Sequence, residues 1–153
     1  MRLAFRPRRL ARLAAAWGWP ERSGGRGGNE LHRAAFYEAL ADAGYPARVL
    51  LEHLEIVAPT LARFGSDALV AKLLPGTLRA DLLWCQGFSE PAAGSDLASL
   101  RTRAERVGDD FVINGQKVWT TFGQMADFGL FLVRTDPEVP KHKGISCLIV
   151  PMR

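Results

Sequence analysis

Little in this 153-residue sequence supports a disulfide framework, a metal centre or a membrane span. Cysteine occurs only at Cys85 and Cys147, without the C-x-x-C spacing of many metal and redox sites. The histidines, His32, His53 and His142, are too scattered along the chain to indicate a metal site. The longest apolar runs are the length of a strand, far below the roughly 20 residues of a membrane-spanning helix. We therefore predict a reduced, cytoplasmic protein without a metal or a membrane span.

Positive charge is concentrated at the start of the chain. Residues 1–33 contain eight arginines against Glu21 and Glu30, whereas the remainder has twelve basic and fourteen acidic residues. Such an amphipathic basic segment is compatible with a transit peptide, a nucleic-acid arm or a membrane-surface helix, but most basic helix faces are simply solvated. The second half of the chain lacks the interleaved basic and aromatic residues of a nucleic-acid surface, so no nucleic-acid partner is predicted.

Helical periods dominate the chain up to about residue 80, and they predict three helices. The first follows an N-cap at Asn29 and stops near Gly44. The second is bent or broken at Pro59, because an interior proline loses a backbone hydrogen bond. The third is capped by Ser66 and ended by Pro75.

Strand patterns dominate the rest of the chain. A turn is predicted at Gly108, and Asn114-Gly115 is typical of a type I′ hairpin. The chain is therefore predicted to be α+β, with a partial N-terminal α-helical domain over residues 1–80 and an incomplete antiparallel β-barrel or sandwich-like domain over residues 81–153. The predicted strands are residues 82–88, 100–107, 111–114, 116–121, 128–134 and 144–151.

Residues 84–96, with the sequence W-C-Q-G-F-S-E-P-A-A-G-S-D, place glycines and short hydroxyls directly after an apolar run. Glycine lets a backbone approach a ligand without an intervening side chain. Ser89 and Ser95 each offer one donor and two acceptors, and Pro91 stiffens the turn between them. The segment indicates a loop that wraps closely around a flat polar ligand, although a solvent-exposed loop is the commoner fate of this composition.

Residues 114–121, with the sequence N-G-Q-K-V-W-T-T, form a second distinctive segment. Together the two segments resemble the flavin-binding signature of the acyl-CoA dehydrogenases, roughly (T/S)-E-P-x-x-G-S-D followed by N-G-x-K-x-W-(I/T)-(T/S). Every fixed position is met, although many relatives carry glycine where this chain has Ala92. The weaker similarity around Trp17-Gly18-Trp19-Pro20 and Arg134-Thr135-Asp136 extends the resemblance over most of the chain.

The resemblance implies that the cofactor is FAD and that the two segments line its ring system. Ser89 would meet the polar edge of the ring, Ser95 would reach the cofactor or the acyl-CoA substrate, and Trp119 would pack against the ring. Glu90 and Asp96 look like turn-stabilising residues, and a strand tryptophan such as Trp119 is often a core residue instead. The implied cofactor-binding residues are Gln86, Gly87, Phe88, Ser89, Gly94, Ser95, Trp119, Thr120 and Thr121.

The resemblance also implies an activity, the α,β-dehydrogenation of the CH–CH group of an acyl-CoA thioester. Electrons would pass to an electron-transfer flavoprotein, and the family's assembly is a homo-oligomer, typically a tetramer. No residue of this sequence matches the family's catalytic base, which lies in a C-terminal helical bundle, so we expect a truncated chain with weak or no activity by itself. An acyl-CoA oxidase, a flavin monooxygenase and a non-catalytic interaction module that keeps the β scaffold remain alternatives.

Overall fold

The computed structural model describes residues 16–44 and 52–153, so the arginine-rich segment 1–15 lies outside the described residues. Within those ranges no helix is long and apolar enough to cross a membrane. The chain divides into two compact units between Leu83 and Trp84. The first unit contains helices α1 (Glu30–Asp42), α2 (Ala58–Phe64) and α3 (Asp67–Leu78), a π-helical segment (Glu52–Val57) and a 3₁₀ turn (Glu21–Ser23). The second contains strands β1 (Trp84–Gly87), β2 (Arg103–Val107), β3 (Asp110–Asn114), β4 (Phe128–Arg134) and β5 (Ile145–Pro151), and a 3₁₀ turn (Leu97–Ser99).

The helix starts follow the predicted capping residues. The Asn29 side chain accepts a hydrogen bond from the Leu31 amide at 3.1 Å, and His32 completes a capping box by accepting from the Asn29 amide at 3.2 Å. Ser66 Oγ caps α3 by accepting from the Leu69 amide at 3.4 Å. Near Pro59, where the second helix is predicted to be bent or broken, a π-helical segment ends at Val57 and the proline lies in the first turn of α2.

The end predicted for the third helix is wrong. Pro75 lies inside α3, which continues through Gly76 to Leu78. Two features outweigh the backbone hydrogen bond that proline removes. The side chains of Leu74 and Leu78 are both fully buried, and the Thr77 hydroxyl donates to the Leu73 carbonyl at 2.9 Å.

In the first unit, a cluster of interacting polar side chains lies beside the apolar core. Arg33 lies 5.2 Å over the Trp19 ring and pairs with Glu55 at 2.8 Å, while Tyr37 donates to the same carboxylate at 3.0 Å. Burial raises the pKa of Tyr37, and the neighbouring Glu55 carboxylate raises it further. The buried core residues are Trp19, Leu40, Leu54, Ala58, Leu74, Leu78 and Ala80.

Strand β4 lies at the centre of the second unit. It pairs with β1 in parallel and with β5 in antiparallel fashion, and Arg103 of β2 pairs in parallel with Arg134 at its end. Strands β2 and β3 form an antiparallel hairpin whose predicted turn contains Gly108 at φ +64°. The predicted α+β class is confirmed. The sheet is mixed and not closed, with the longer pairings antiparallel and the two shorter ones parallel.

The hairpin at Asn114-Gly115 and the strand over residues 116–121 are not observed. Strand β3 ends at Asn114, and residues 116–120 have no regular secondary structure. Gly115 lies so close to Thr102, the residue before β2, that a Cβ atom there would be 2.6 Å from the Thr102 Cα. The residues after Gly115 do not return along β3. They bond instead to the segment that follows β1, and a strand-like sequence pattern does not predict these bonds.

Candidate functional site

The two signature segments lie beside each other in the second unit. The Val118 amide donates a hydrogen bond of 2.9 Å to the Ser89 carbonyl. This bond joins the first segment, which leaves β1 at Gly87, to the second segment just before Trp119. A direct backbone hydrogen bond therefore joins segments that are almost thirty positions apart in the sequence.

A tight turn follows Ser89. Glu90 and Ala93 exchange two backbone hydrogen bonds, of 2.8 and 3.1 Å. Ala92 lies in this turn without a positive φ, since the non-glycine residues with positive φ in the described part of the chain are Ala80, Trp119 and Phe122. The alanine that replaces the family's usual glycine is therefore accommodated without backbone strain.

The Glu90 carboxylate is buried and fully engaged. It accepts hydrogen bonds from the Arg101 amide at 2.7 Å, the Thr102 amide at 2.9 Å and Lys117 Nζ at 2.9 Å. Burial raises the pKa of Glu90, but the hydrogen bonds from Thr102, Arg101 and Lys117 outweigh this and lower it to about 2. Glu90 is therefore an ionised structural group, in agreement with its interpretation as a turn-stabilising residue.

Lys117 is a buried, paired residue whose role the sequence did not predict. Its side chain is only 5% exposed, and besides pairing with Glu90 it donates to the Phe88 carbonyl at 3.1 Å. The signal was present in the sequence, because the lysine is one of the fixed positions of the second segment. Its pairing with Glu90 could not be predicted from the sequence, because a strand over residues 116–121 would have folded back beside residues 111–114.

Trp119 does not lie in the core. Its side chain is 89% exposed, and its backbone is in the left-handed region at φ +58°. The Thr121 amide donates to the Trp119 carbonyl at 3.0 Å, and Phe122 also has a positive φ of +64°. A bulky residue in this conformation is strained, and such strain is typical of binding and active sites. An exposed indole held in this way is available to a ligand.

Gly87 provides a close approach at the end of β1. It is paired with Phe131 of β4, and a Cβ atom on Gly87 would lie 2.5 Å from the Phe131 ring. Only a residue without a side chain leaves room for the ring at this point. The glycine is therefore required for packing within the sheet, whatever it contributes to a ligand.

The remaining predicted residues differ in exposure. Gln86, Phe88, Ser89 and Thr120 are half-buried, whereas Gly94, Ser95 and Thr121 are exposed. Within residues 16–44 and 52–153, no hydrogen-bond partner of the Ser95 or Thr121 hydroxyl is found. These groups are free to bond to a ligand, and their contact with a flavin stays a prediction.

A second set of polar contacts fixes the loop that follows Ser95. Asp96 bonds to Ser99 and to Lys141, and these partners lower the pKa of its carboxyl group. Arg134 Nη2 donates to the Ala98 carbonyl at 2.7 Å, which ties the 3₁₀ turn to the end of β4. Asp96 is thus also a turn-stabilising residue, while the role of Arg134 was not foreseen. Among the described residues no group of three or more acidic, histidine or cysteine side chains is placed to hold a metal ion.

Comparison with known families agrees with this arrangement. Residues 9–81 match the acyl-CoA dehydrogenase N-terminal domain, and residues 85–153 match the acyl-CoA dehydrogenase middle domain. The chain belongs to the acyl-CoA dehydrogenase family.

Individual relatives are similar over nearly the whole chain. The acyl-CoA dehydrogenase IpdE1 of Mycobacterium tuberculosis is 47% identical over 97% of this chain, which spans 40% of that protein. Among solved structures, a Tcur3481-Tcur3483 steroid ACAD is 40% identical with a TM-score of 0.86, covering 97% of this chain and 39% of its own. The ChsE4-ChsE5 complex from Mycobacterium tuberculosis is 44% identical with a TM-score of 0.84, over 94% and 37%. The chain thus spans about 40% of the length of the relatives that it matches.

Proposed function

We propose that this chain forms the flavin-facing part of an FAD-dependent acyl-CoA dehydrogenase that acts on the CH–CH group next to the thioester. The observation that carries the proposal is Trp119, an 89% exposed indole in a strained left-handed conformation, one residue after the bond that joins the two signature segments. Backbone strain of this kind is typical of binding sites, and a flat aromatic ligand would cover the exposed indole.

The residues at this site fit a flavin. The ring needs an aromatic or apolar neighbour for its face and polar groups for its edge, and Trp119 supplies the first. The exposed hydroxyls of Ser95 and Thr121 and the half-buried Ser89 supply donors and acceptors. The residues that would hold FAD are those implied by the resemblance, Gln86, Gly87, Phe88, Ser89, Gly94, Ser95, Trp119, Thr120 and Thr121. When bound, FAD supplies the acceptor for the hydride that leaves the substrate.

The protein's own groups orient the reactants. Trp119 would fix one face of the ring, Thr121 would donate a hydrogen bond to the ring edge, and Ser95 would bond to the cofactor or the acyl-CoA. The buried ion pair between Lys117 and Glu90 would hold the two segments together. Preorganised donors of this kind lower the barrier by stabilising charge that develops in the transition state.

Substrate, partners and location are further parts of the proposal. Matched structures described as steroid ACADs favour a bulky polycyclic acyl-CoA over a simple chain, and long-chain acyl-CoA dehydrogenase of mouse, 34% identical, provides the straight-chain alternative. The ChsE4-ChsE5 complex supports assembly with other subunits, so we propose an oligomer. We further propose that an electron-transfer flavoprotein receives the electrons and that the protein is cytoplasmic.

The activity is tested by flavin bleaching under anaerobic conditions. In the mixture of FAD and the 153-residue polypeptide, steroid or long-chain acyl-CoA should not bleach the flavin absorbance. None of the polypeptide's residues matches the family's base. A chimera that adds the segment of M. tuberculosis IpdE1 not covered by this chain should be bleached by one of these thioesters. Thr121→Val should slow that bleaching by the equivalent of about 1–3 kcal/mol, since it removes a hydrogen bond in a desolvated site.

Two outcomes would count against the proposal. A folded chimera that binds FAD but is not bleached by any acyl-CoA would contradict the dehydrogenase assignment. A chimera that binds no FAD would favour the interaction module instead. Bleaching of the 153-residue polypeptide by itself would show that a base lies within these residues.

A further inference from the structure

We propose that Lys117 is a positioning residue that holds the Ser89 segment against the Trp119 segment through its buried pairing with Glu90. The inference rests on the proposed function, because the two segments are those proposed to bind FAD. Among the described residues, Lys117 donates its hydrogen bonds to the Phe88 carbonyl and to the Glu90 carboxylate, so we propose that it acts through the first segment rather than on the reactants.

The contacts of Lys117 all point to the first segment. Its Nζ lies 2.9 Å from the Glu90 carboxylate and 3.1 Å from the Phe88 carbonyl, on either side of Ser89. The next residue, Val118, donates its amide to the Ser89 carbonyl itself. Three consecutive residues of the first segment are therefore bonded to two consecutive residues of the second.

Glu90 extends the same link to a third stretch of chain. Its carboxylate also accepts from the amides of Arg101 and Thr102, which precede β2. The side chains of both members of the pair are almost completely buried, with 5% exposure for Lys117 and 7% for Glu90. The backbone donors thus fix the orientation of the Glu90 carboxylate, and Lys117 adds a positively charged partner.

A buried ion pair is a poor way to gain stability, because desolvation of the charges offsets their attraction. Replacing both partners with uncharged residues is often tolerated, whereas removing one leaves an unpaired buried charge. The pair instead fixes the position of the Ser89 segment relative to the Trp119 segment, which no regular secondary structure connects. The energetic argument therefore favours positioning over stabilisation as its role.

The test compares Lys117→Met, the double variant Glu90→Gln/Lys117→Met and the control Lys141→Met, all in the full chain. Lys141 also pairs with an acidic residue, Asp96, but on the surface, with 58% and 64% exposure. Hydrogen exchange of the Val118 amide reports the link without any cofactor, and FAD titration reports the site. Thermal unfolding reports stability separately.

We expect Val118 exchange to be about tenfold faster or more in both Lys117 variants and unchanged in Lys141→Met. The FAD dissociation constant should rise about tenfold in both, corresponding to one lost buried hydrogen-bonded contact. The double variant should recover thermal stability relative to Lys117→Met, while its FAD affinity stays low. A purely structural pair would instead let affinity recover together with stability.

Unchanged Val118 exchange in folded Lys117→Met would overturn the inference, as would recovery of FAD affinity in the double variant. A different result separates the two proposals. If the unsubstituted chain binds no FAD while Val118 exchange is still accelerated in Lys117→Met, the flavin function fails and the link between the segments stands.

Discussion

Protonation of Glu90 should destabilise the second unit in acid. The carboxylate is ionised in the folded protein, with a pKa lowered from 4.5 to about 2 by the hydrogen bonds from Thr102, Arg101 and Lys117 that outweigh its burial. A group whose pKa is lowered by folding contributes stability above its unfolded pKa and loses it as the pH falls through the folded value. The relevant window therefore runs from about pH 4.5 down to about pH 2.

The magnitude follows from the size of the shift. A lowering from 4.5 to about 2, at about 1.4 kcal/mol per pKa unit, means that at neutral pH the ionised Glu90 favours the folded state by about 3 kcal/mol more than a protonated Glu90 would. Of this, about 2 kcal/mol should be lost between about pH 6 and about pH 3, because the folded carboxylate is still largely ionised at the lower value.

Urea unfolding at several pH values, followed by fluorescence and circular dichroism, measures this change. Other carboxylates also titrate in this range, so the reference is Glu90→Gln/Lys117→Met, which lacks both charges of the pair. The free energy of unfolding of the parent chain should fall by about 2 kcal/mol more than that of the double variant between about pH 6 and about pH 3. Equal pH dependence in the two proteins would refute the electrostatic account of this turn.

Three other substitutions test separate parts of the structure. Trp119→Gly should raise the free energy of unfolding by about 1 kcal/mol relative to Trp119→Ala, because glycine relieves the left-handed strain that alanine retains; equal stabilities would contradict the strain. Gly87→Val should destabilise the second unit by about 1–3 kcal/mol in urea unfolding through its clash with Phe131, and Phe131→Ala should restore part of the loss; no destabilisation would argue against this packing. Arg134→Lys should lower the thermal midpoint and accelerate amide exchange in Leu97–Ser99, because lysine lacks the forked donors that bond to the Ala98 and Leu100 carbonyls; unchanged exchange would contradict this role.

Local patterns predicted the elements that local chemistry controls. The caps at Asn29 and Ser66 and the full extent of β4 follow from side-chain hydrogen bonding and from apolar runs. The end of α3 was missed because proline and glycine are local signals, whereas burial of Leu74 and Leu78 is a tertiary effect. Such burial overrides propensity and cannot be seen along the chain.

The candidate site also combines features that local sequence patterns predict with features that depend on tertiary contacts. The sequence identified both segments, but it predicted a hairpin and a strand where the chain crosses to Ser89 instead. That crossing depends on the pairing of Lys117 with Glu90, which lie far apart in sequence. The exposure and positive φ of Trp119 were likewise hidden, because a tryptophan in a strand-like run is most often part of a core.

Titration of FAD into the 153-residue polypeptide and its Trp119→Ala variant tests the central claim most directly. Isothermal calorimetry or quenching of flavin fluorescence should show weak but saturable binding at one site in the parent chain. Because the exposed indole is proposed to cover one face of the ring, Trp119→Ala should weaken binding about tenfold. Absence of saturable binding by the folded parent chain, or equal affinity of the two proteins, would contradict the claim that these two segments form a flavin site.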